Sequence, residues 1–450
     1  MREFITADRN QISLLPPSIE EWLPENHLAR FVVEVVEELD LSKVYDAYGS
    51  TGRPPYDPKL MLSMLFYGYS TGVFSSRKLE QASYDSVAIR FICGNYHPDH
   101  DSIATFRKRF LEELDDLFVQ ILLLAQQMGF AKVGNVNVDG TKMQANASKH
   151  HAMSYDRIKK LEVALKEEVR KLLDLAQVAD EEETGLDIPA EIERREVRLE
   201  KLKEAKTVLE KRAAQRYEEE KASYDKKMAE REQKEEQTAK KPRGRTPRPP
   251  KEGASKKDQY NFTDPESRIM KTSKGFDQCY NGQAAVNDEM LIVSALANAH
   301  CNDKEELIPT LDKIDESLGK VENAAADNGY YSESNIEKTK GRHIEPYLST
   351  GREEHNQWLE KQLAKRENEE GSVESLSTKE QMRQKLKTDK GKEIYRKRKM
   401  TVEPVFGIIK EIMGFRRFSL RGEQKINGEW ILVCTAYNLK RLFKLRLGIV

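Results

Sequence analysis

No stretch of roughly 18 consecutive apolar residues occurs in the chain, so a membrane-crossing helix is excluded by length alone. Met1-Arg2-Glu3-Phe4 begins no signal peptide, and the expectation is a soluble cytoplasmic chain with no membrane partner. Cysteine is scarce. Cys93, Cys279, Cys301 and Cys434 lie far apart and form no CxxC pair, which argues for reduced thiols and against a disulfide scaffold. Cys93 with His97 and His100 lacks the fourth ligand of a structural zinc site. Histidine is sparse as well, 8 in all, and no plausible Ser-His or Cys-His pairing stands out. Net charge is almost absent, -1, although 34% of the residues are charged, so any charged surface must come from local asymmetry.

What is present changes character along the chain, which at 450 residues has room for about three domains. From about Leu28 to Met128 the apolar spacing is helical. Leu60, Met61, Met64 and Leu65 form one stripe, and Phe106, Phe110, Leu114, Leu117, Ile121 and Leu124 form another. Gly52-Arg53-Pro54-Pro55 is a breaker, and Ser75-Ser76 reads as a helix N-cap. Arg77, Lys78, Arg107, Lys108 and Arg109 can face DNA or simply solvate helix faces. From Tyr155 to about Gln237, Glu, Lys and Arg dominate. Ile158, Leu161, Leu165 and Leu172, then Ile192, Leu199, Leu202 and Leu209, make narrow heptad-like seams. Gly185 and Pro189 break the pattern between them, which predicts an antiparallel helical hairpin. The following Lys240-to-Lys251 segment is basic and Pro-rich. Arg243 and Arg245 flank Gly244 much as in minor-groove-binding elements, and a solvated linker is the other reading.

Strand and helix signals alternate from Asp264 onward. Ala284 to Val286 and Met290 to Val293 predict two strands of a hairpin, and Asp303 reads as a helix cap. Two further stretches carry the chemistry. In Gly134-Asn135-Val136-Asn137-Val138-Asp139-Gly140 a period-two strand pattern ends on a carboxylate, and Ala324-Ala325-Ala326 likewise runs into Asp327-Asn328-Gly329. Either Asp alone can be a turn cap. Together they can bring two carboxylates to one sheet edge, and oxygen ligands there suit Mg²⁺. Two such ions call for a third acid. Glu403, apolar-flanked in Met400-Thr401-Val402-Glu403-Pro404-Val405-Phe406, is the best supplier, with a surface Glu as the alternative. Pro404 predicts a helix start or kink there. The segment Arg383 to Lys399, rich in Lys and Arg, offers a surface for a polyanion.

Asp139 in "NVNVDGTKMQANAS", Asp327 in "AAADNGYYS" and Glu403 in "RKRKMTVEPVFGIIK" resemble the acidic triad of DDE transposases from bacterial insertion sequences. "GRPPYDPKLMLSMLFYGYSTGVFSSRKLE" and "DHDSIATFRKRF" are similar to the N-terminal helical domain of one branch, and "DPESRIMK" to the segment before its second strand. In that branch's signature the Glu is preceded by Tyr and Arg and followed by Lys. Lys410 fits, whereas Tyr395 and Arg398 keep their mutual spacing but stand one residue too far upstream.

The resemblance implies an α/β fold: a ribonuclease-H-like mixed sheet flanked by helices, with an N-terminal all-α domain and an inserted helical hairpin. The implied boundaries are a helical DNA-binding domain over 1–130, a catalytic domain from 131–154 and 260–450, the hairpin over 155–239 and a basic linker over 240–259. It implies catalysis and metal binding by Asp139, Asp327 and Glu403 with two Mg²⁺, or Mn²⁺, and DNA contacts from Lys410, Tyr395, Arg398, Arg396, Lys397, Lys399, Arg243 and Arg245. The implied partners are double-stranded DNA, as element ends and target, and a second copy of the chain on DNA in the nucleoid. A nuclease of the same fold without strand transfer, or a DNA-binding remnant, is the alternative.

Overall fold

The computed structural model describes residues 18–49, 54–178, 187–238, 246–273, 275–351 and 377–449. The chain is mixed helix and sheet, and divides into two compact units. One comprises Met1–Ala145, Met270–Lys274 and Cys279–Val450; the other comprises Asn146–Ile269 and Gly275–Gln278.

The first unit begins with helices α1 (Leu28–Glu37), α2 (Ser42–Asp46), α3 (Pro58–Ser70), α4 (Ser76–Asp85), α5 (Val87–Ile92), α6 (His100–Arg109) and α7 (Glu113–Gln127). Their starts are written in the sequence. Asp57 accepts the Lys59 amide at 2.8 Å with Pro58 at the first helical position, and Asp99 accepts the Ser102 amide at 2.8 Å. Ser75 does sit at the N-cap of α4, but its side chain makes no capping bond. α1 buries Phe31, Val32, Val35 and Val36, the stripe of an amphipathic helix.

Strands β1 (Asn135–Gln144), β4 (Arg268–Thr272), β5 (Gly275–Val286), β6 (Ile292–Asn298), β7 (Asn323–Ala326) and β8 (Glu345–Leu348) form a mixed sheet of order β4-β5-β1-β7-β8, with β6 also on β5. β1 pairs antiparallel with β5 and parallel with β7, β5 pairs antiparallel with β6, and β7 parallel with β8. Helices α10 (Leu307–Asp312) and α11 (Glu333–Gly341) connect β6 to β7 and β7 to β8. Then follow α12 (Thr378–Lys387), α13 (Asp389–Met400), α14 (Val402–Gly407) and α15 (Glu423–Arg446).

α15 is buried all round from Gly428 to Leu439, as a helix inside a core must be. It also seals the free edge of β6. Asn438 Oδ1 accepts the Ile292 amide at 2.9 Å, its Nδ2 donates to the Ile292 carbonyl at 2.8 Å, and Asn427 Oδ1 accepts the Ala297 amide at 3.0 Å. Trp430 Nε1 donates to the Gln283 carbonyl at 2.9 Å, so its ring enters the core with its polar atom satisfied.

In the second unit β2 (Ala152–Ser154) pairs antiparallel with β3 (Gln259–Asn261), and α8 (Tyr155–Val178) packs on α9 (Ile188–Thr238). Cross-links descend on one helix as they rise on the other: Tyr155 to Glu210 at 2.7 Å, Glu162 to Lys206 at 3.2 Å and Glu168 to Arg195 at 2.9 Å. The helices are therefore antiparallel. The seam buries Ile158, Leu165, Leu199, Leu202, Ala205 and Leu209.

Candidate active site

The sheet register brings the first two acids together. The parallel ladder of β1 and β7 ends at Val138 opposite Ala326, so Asp139 and Asp327 are the next residues on two adjacent strands, with chains running the same way. β1 does not end at Asp139, as its sequence pattern suggests, but continues to Gln144, because its other edge stays paired with β5 down to Cys279. Asp139 is thus where β7 leaves the sheet, not where β1 stops. Asp327 behaves as a cap as well: its Oδ1 accepts the Gly329 amide at 2.7 Å.

Glu403 arrives from a break between helices. α13 ends at Met400, Thr401 takes φ -114° and ψ -78°, and α14 starts at Val402 with Pro404 in its first turn, where a missing amide costs no intrahelical bond. One extra residue in a continuous helix would turn Arg398 about 100° away from Glu403. The break at Thr401 absorbs it. Arg398 donates to Glu403 Oε1 at 2.7 Å and to Asp139 Oδ2 at 3.2 Å, so one guanidinium bridges two acids.

The electrostatics follow from burial. The Asp139 carboxyl is pushed up to about 6, chiefly by loss of water; Arg398 and the Gly140 amide oppose this, while Asp327 and Asp303 add to it. Desolvation likewise lowers Arg398's proton affinity, but Asp139, Tyr395, Glu403 and Asp327 outweigh it and hold the guanidinium above its ordinary value. The donors are hard oxygens, which fit Mg²⁺ or Mn²⁺ in chemistry. Among the described residues no three His, Cys, Asp or Glu side chains stand close enough to hold an ion in this arrangement, and the Arg398 guanidinium supplies the positive charge between Asp139 and Glu403.

The remaining expected residues divide. Lys410 lies on a π-helical turn, Ile408–Ile412, and donates to the Lys142 carbonyl of β1 at 3.2 Å; burial lowers its proton affinity. The ring of Tyr395 lies 5.7 Å from the Arg398 guanidinium, Lys397 is paired with Asp288 at 2.9 Å, and Arg396 and Lys399 are exposed. Arg243 and Arg245 lie outside the described residues. Three further basic groups are engaged by the protein itself. Arg107 donates to the Tyr69 hydroxyl and the Phe74 carbonyl at 2.9 and 3.0 Å, Lys440 to the Ser70 carbonyl at 2.9 Å, and Arg446 pairs with Glu34 at 2.6 Å.

Sequence reasoning missed one acid. Asp303, read as a cap, accepts on Oδ1 from Asn281 Nδ2 at 2.6 Å, Gln283 Nε2 at 3.0 Å and Lys142 Nζ at 3.0 Å. The Tyr330 hydroxyl donates to Gln283 and extends the network. A signal existed: like Asp139 and Asp327, Asp303 follows closely on an apolar strand, here β6.

Two family models match the chain, Transposase domain (DUF772) over residues 17–109 and Transposase DDE domain over residues 361–443. No curated protein and no solved structure matches it. The second span contains Arg398, Glu403 and Lys410, while Asp139, Asp303 and Asp327 fall between the two. The matches define the class as a transposase, acting on DNA. More narrowly, the chain is a DDE transposase of the insertion-sequence type.

Proposed function

We propose that this transposase hydrolyses phosphodiester bonds at the ends of its element and joins the freed 3′ hydroxyls to target DNA, using Asp139, Asp327 and Glu403 on a ribonuclease-H-like core. The observation that carries this reading is the parallel register placing Asp139 and Asp327 next to each other, with Glu403 tied to Asp139 through Arg398. The order β6-β5-β1-β7-β8, three antiparallel strands followed by two parallel ones, supports the fold assignment.

In this reading Asp139, Asp327 and Glu403 would hold divalent cations; the sheet sets the first two side by side, and past the break at Thr401 Arg398 ties Glu403 to Asp139. The chemistry that a pair of Mg²⁺ ions, or Mn²⁺, supplies there is activation of the attacking oxygen and neutralisation of charge on the leaving one. Arg398 holds Asp139 and Glu403 in register and, with those acids neutralised, would be free to contact DNA phosphate. Lys410, fixed on the edge of β1, and the exposed Arg396 and Lys399 track the duplex backbone, with Tyr395 and Lys397 beside them. The helices of 1–130 and the basic linker with Arg243 and Arg245 add further DNA contacts. Two copies act on one pair of element ends.

The test is Asp139→Asn, Asp327→Asn and Glu403→Gln on DNA carrying the element's end. Each should abolish Mg²⁺-dependent cleavage and strand transfer while leaving binding to that DNA intact. Retained cleavage in any of them refutes the triad, and cleavage without strand transfer by the unmodified protein makes it a nuclease.

A further inference from the structure

Asp327 stands past the last rung of its ladder. β7 pairs with β1 only as far as Val138 and Ala326, and the chain then enters the short helical turn Asn328–Tyr330. Strand pairing therefore stops one residue short of the acid, and other contacts must fix the turn that carries it. Two do so at Tyr330. Its hydroxyl donates to Gln283 Oε1 on β5, and its carbonyl accepts from Asn335 Nδ2 of α11 at 2.7 Å, while the same amide donates to the Lys304 carbonyl at 2.7 Å. The far end of the turn is thus tied both to the sheet and to the segment that carries Asp303.

Gln283 leads back to the other acid. It lies opposite Gly140 in the ladder of β1 and β5, one residue from Asp139, and strand alternation puts its side chain on the face opposite the Asp139 carboxyl. Its Nε2 donates to Asp303 Oδ1 at 3.0 Å, which also accepts from Asn281 at 2.6 Å and Lys142 at 3.0 Å. A Cβ on Gly140 would strike the Gln283 amide and lie 2.8 Å from Asp303 Oδ1, so the network rests directly on the backbone next to Asp139. At its other end a Cβ on Gly329 would lie 3.7 Å from the Asp303 Cβ. Tyr330, Gln283 and Asn281 are fully buried, where polar side chains cost stability unless they are bonded. Bonded to one another, they make a rigid link between the two strands' acids, and apolar side chains would have filled the same space without it.

We propose that Tyr330 is a positioning residue for Asp327: through Gln283 and Asp303 it holds the turn in line with Asp139 from the back of the sheet, and Asn335 fixes the same turn from α11. This rests on the catalytic reading of Asp327. Tyr330 is buried and reaches no DNA, so its whole effect on the reaction passes through the acid three residues before it.

The experiment is single-turnover cleavage of element-end DNA in Mg²⁺ by the full chain at saturating protein, with DNA affinity and melting temperature measured on the same samples. Tyr330→Phe, which removes one hydroxyl and keeps the ring, should slow cleavage about tenfold or more with DNA affinity unchanged, because a small displacement of a reacting group costs rate and not binding. Gln283→Met, which keeps the length but makes neither bond, should slow it at least as much. The double variant should be no slower than Gln283→Met alone, since both changes cut one chain of contacts. Slowing that multiplies in the double variant overturns the proposal, as does slowing that comes from weaker DNA binding. A wild-type rate in Tyr330→Phe, even with a lower melting temperature, makes the hydroxyl a stabilising contact only and overturns it as well. Cleavage lost in Asp327→Asn beside that wild-type rate leaves the acid's role standing, whereas cleavage retained in Asp327→Asn overturns the reading of the acid itself. Should Tyr330→Phe not fold, Gln283→Met decides by the same rate.

Discussion

At residue scale Arg398 puts one positive charge between Asp139 and Glu403, the place that the proposed function gives to a cation. Its side chain is 9% exposed and those of Asp139 and Glu403 are 19% and 47% exposed, so the pair with Asp139 is the shielded one. Its Nε has no hydrogen-bond partner, a cost tolerated for the sake of bridging the two acids. Removing one partner of a buried ion pair leaves the other charge uncompensated. Arg398→Ala should therefore lower the stability of the cation-free protein by about 2–3 kcal/mol at neutral pH, less than for a fully buried pair because Glu403 is half exposed to water. Millimolar Mg²⁺ should restore much of that loss, since a dication can take over the neutralisation. Thermal melts with and without Mg²⁺ check both parts. A loss that Mg²⁺ does not touch would mean that Arg398 and the cation do not share these acids.

Elements explain why some of this was legible in the sequence and some was not. The seam of Ile158, Leu165, Leu199 and Leu202 is periodic and one residue wide, and periodicity survives into structure because it decides which face can be buried. That Asp139 and Asp327 lie side by side was readable from two apolar runs that each meet a carboxylate, although β1 continues past Asp139 to Gln144. β5 was not. Ahead of Ala284 it carries Asp277, Gln278, Asn281 and Gln283, which break the apolar pattern, so only Ala284 to Val286 read as strand and the buried amides around Asp303 went unseen. Arg398 read as out of register because it stands one residue further from Glu403 than the signature has it; a helix start was expected near Pro404, and the break at Thr401 absorbs the extra residue.

Glu429 on α15 was hidden for the same reason: a buried acid looks like a surface one in sequence. Its carboxylate accepts the Ser419 and Leu420 amides at 3.0 Å, clamping the turn before α15, and the Tyr69 hydroxyl lies 3.5 Å away. Burial raises its proton affinity above the usual 4.5, opposed by the Ser419 hydroxyl, the Leu420 amide and Arg107. The folded state therefore binds this proton more tightly than the unfolded chain. The stability it contributes is fully present below about pH 4.5 and is lost as pH rises through the raised value. Glu429→Gln has no proton to lose. Relative to the unmodified protein it should gain stability on going from pH 4.5 to pH 7, and an equal difference at both pH values would show that Glu429 titrates normally.

At the scale of the whole molecule the inserted helices pose the last question. β2 and β3 pair antiparallel at the root of the insertion, and the Tyr155 amide donates to the Asp258 carbonyl at 2.8 Å, so the chain leaves and returns at adjacent points. A two- to four-residue turn can therefore replace residues 156–257, since hairpin loops of that length close such a pair. α9 outruns its partner: beyond Ala213 none of its described side chains is buried, and it continues to Thr238, about 38 Å of single helix. That extension carries 6 Lys and Arg against 8 Asp and Glu, a balance that favours a protein surface over a polyanion. The expected partner is the second copy of the chain. The shortened protein should melt cooperatively and keep Mn²⁺ binding, because no described residue of the acidic site lies in the insertion. It should fail to form a two-copy complex on element-end DNA, measured by light scattering, and transposition should drop accordingly. Full assembly and full transposition by the shortened chain would show that the arm serves neither DNA nor pairing.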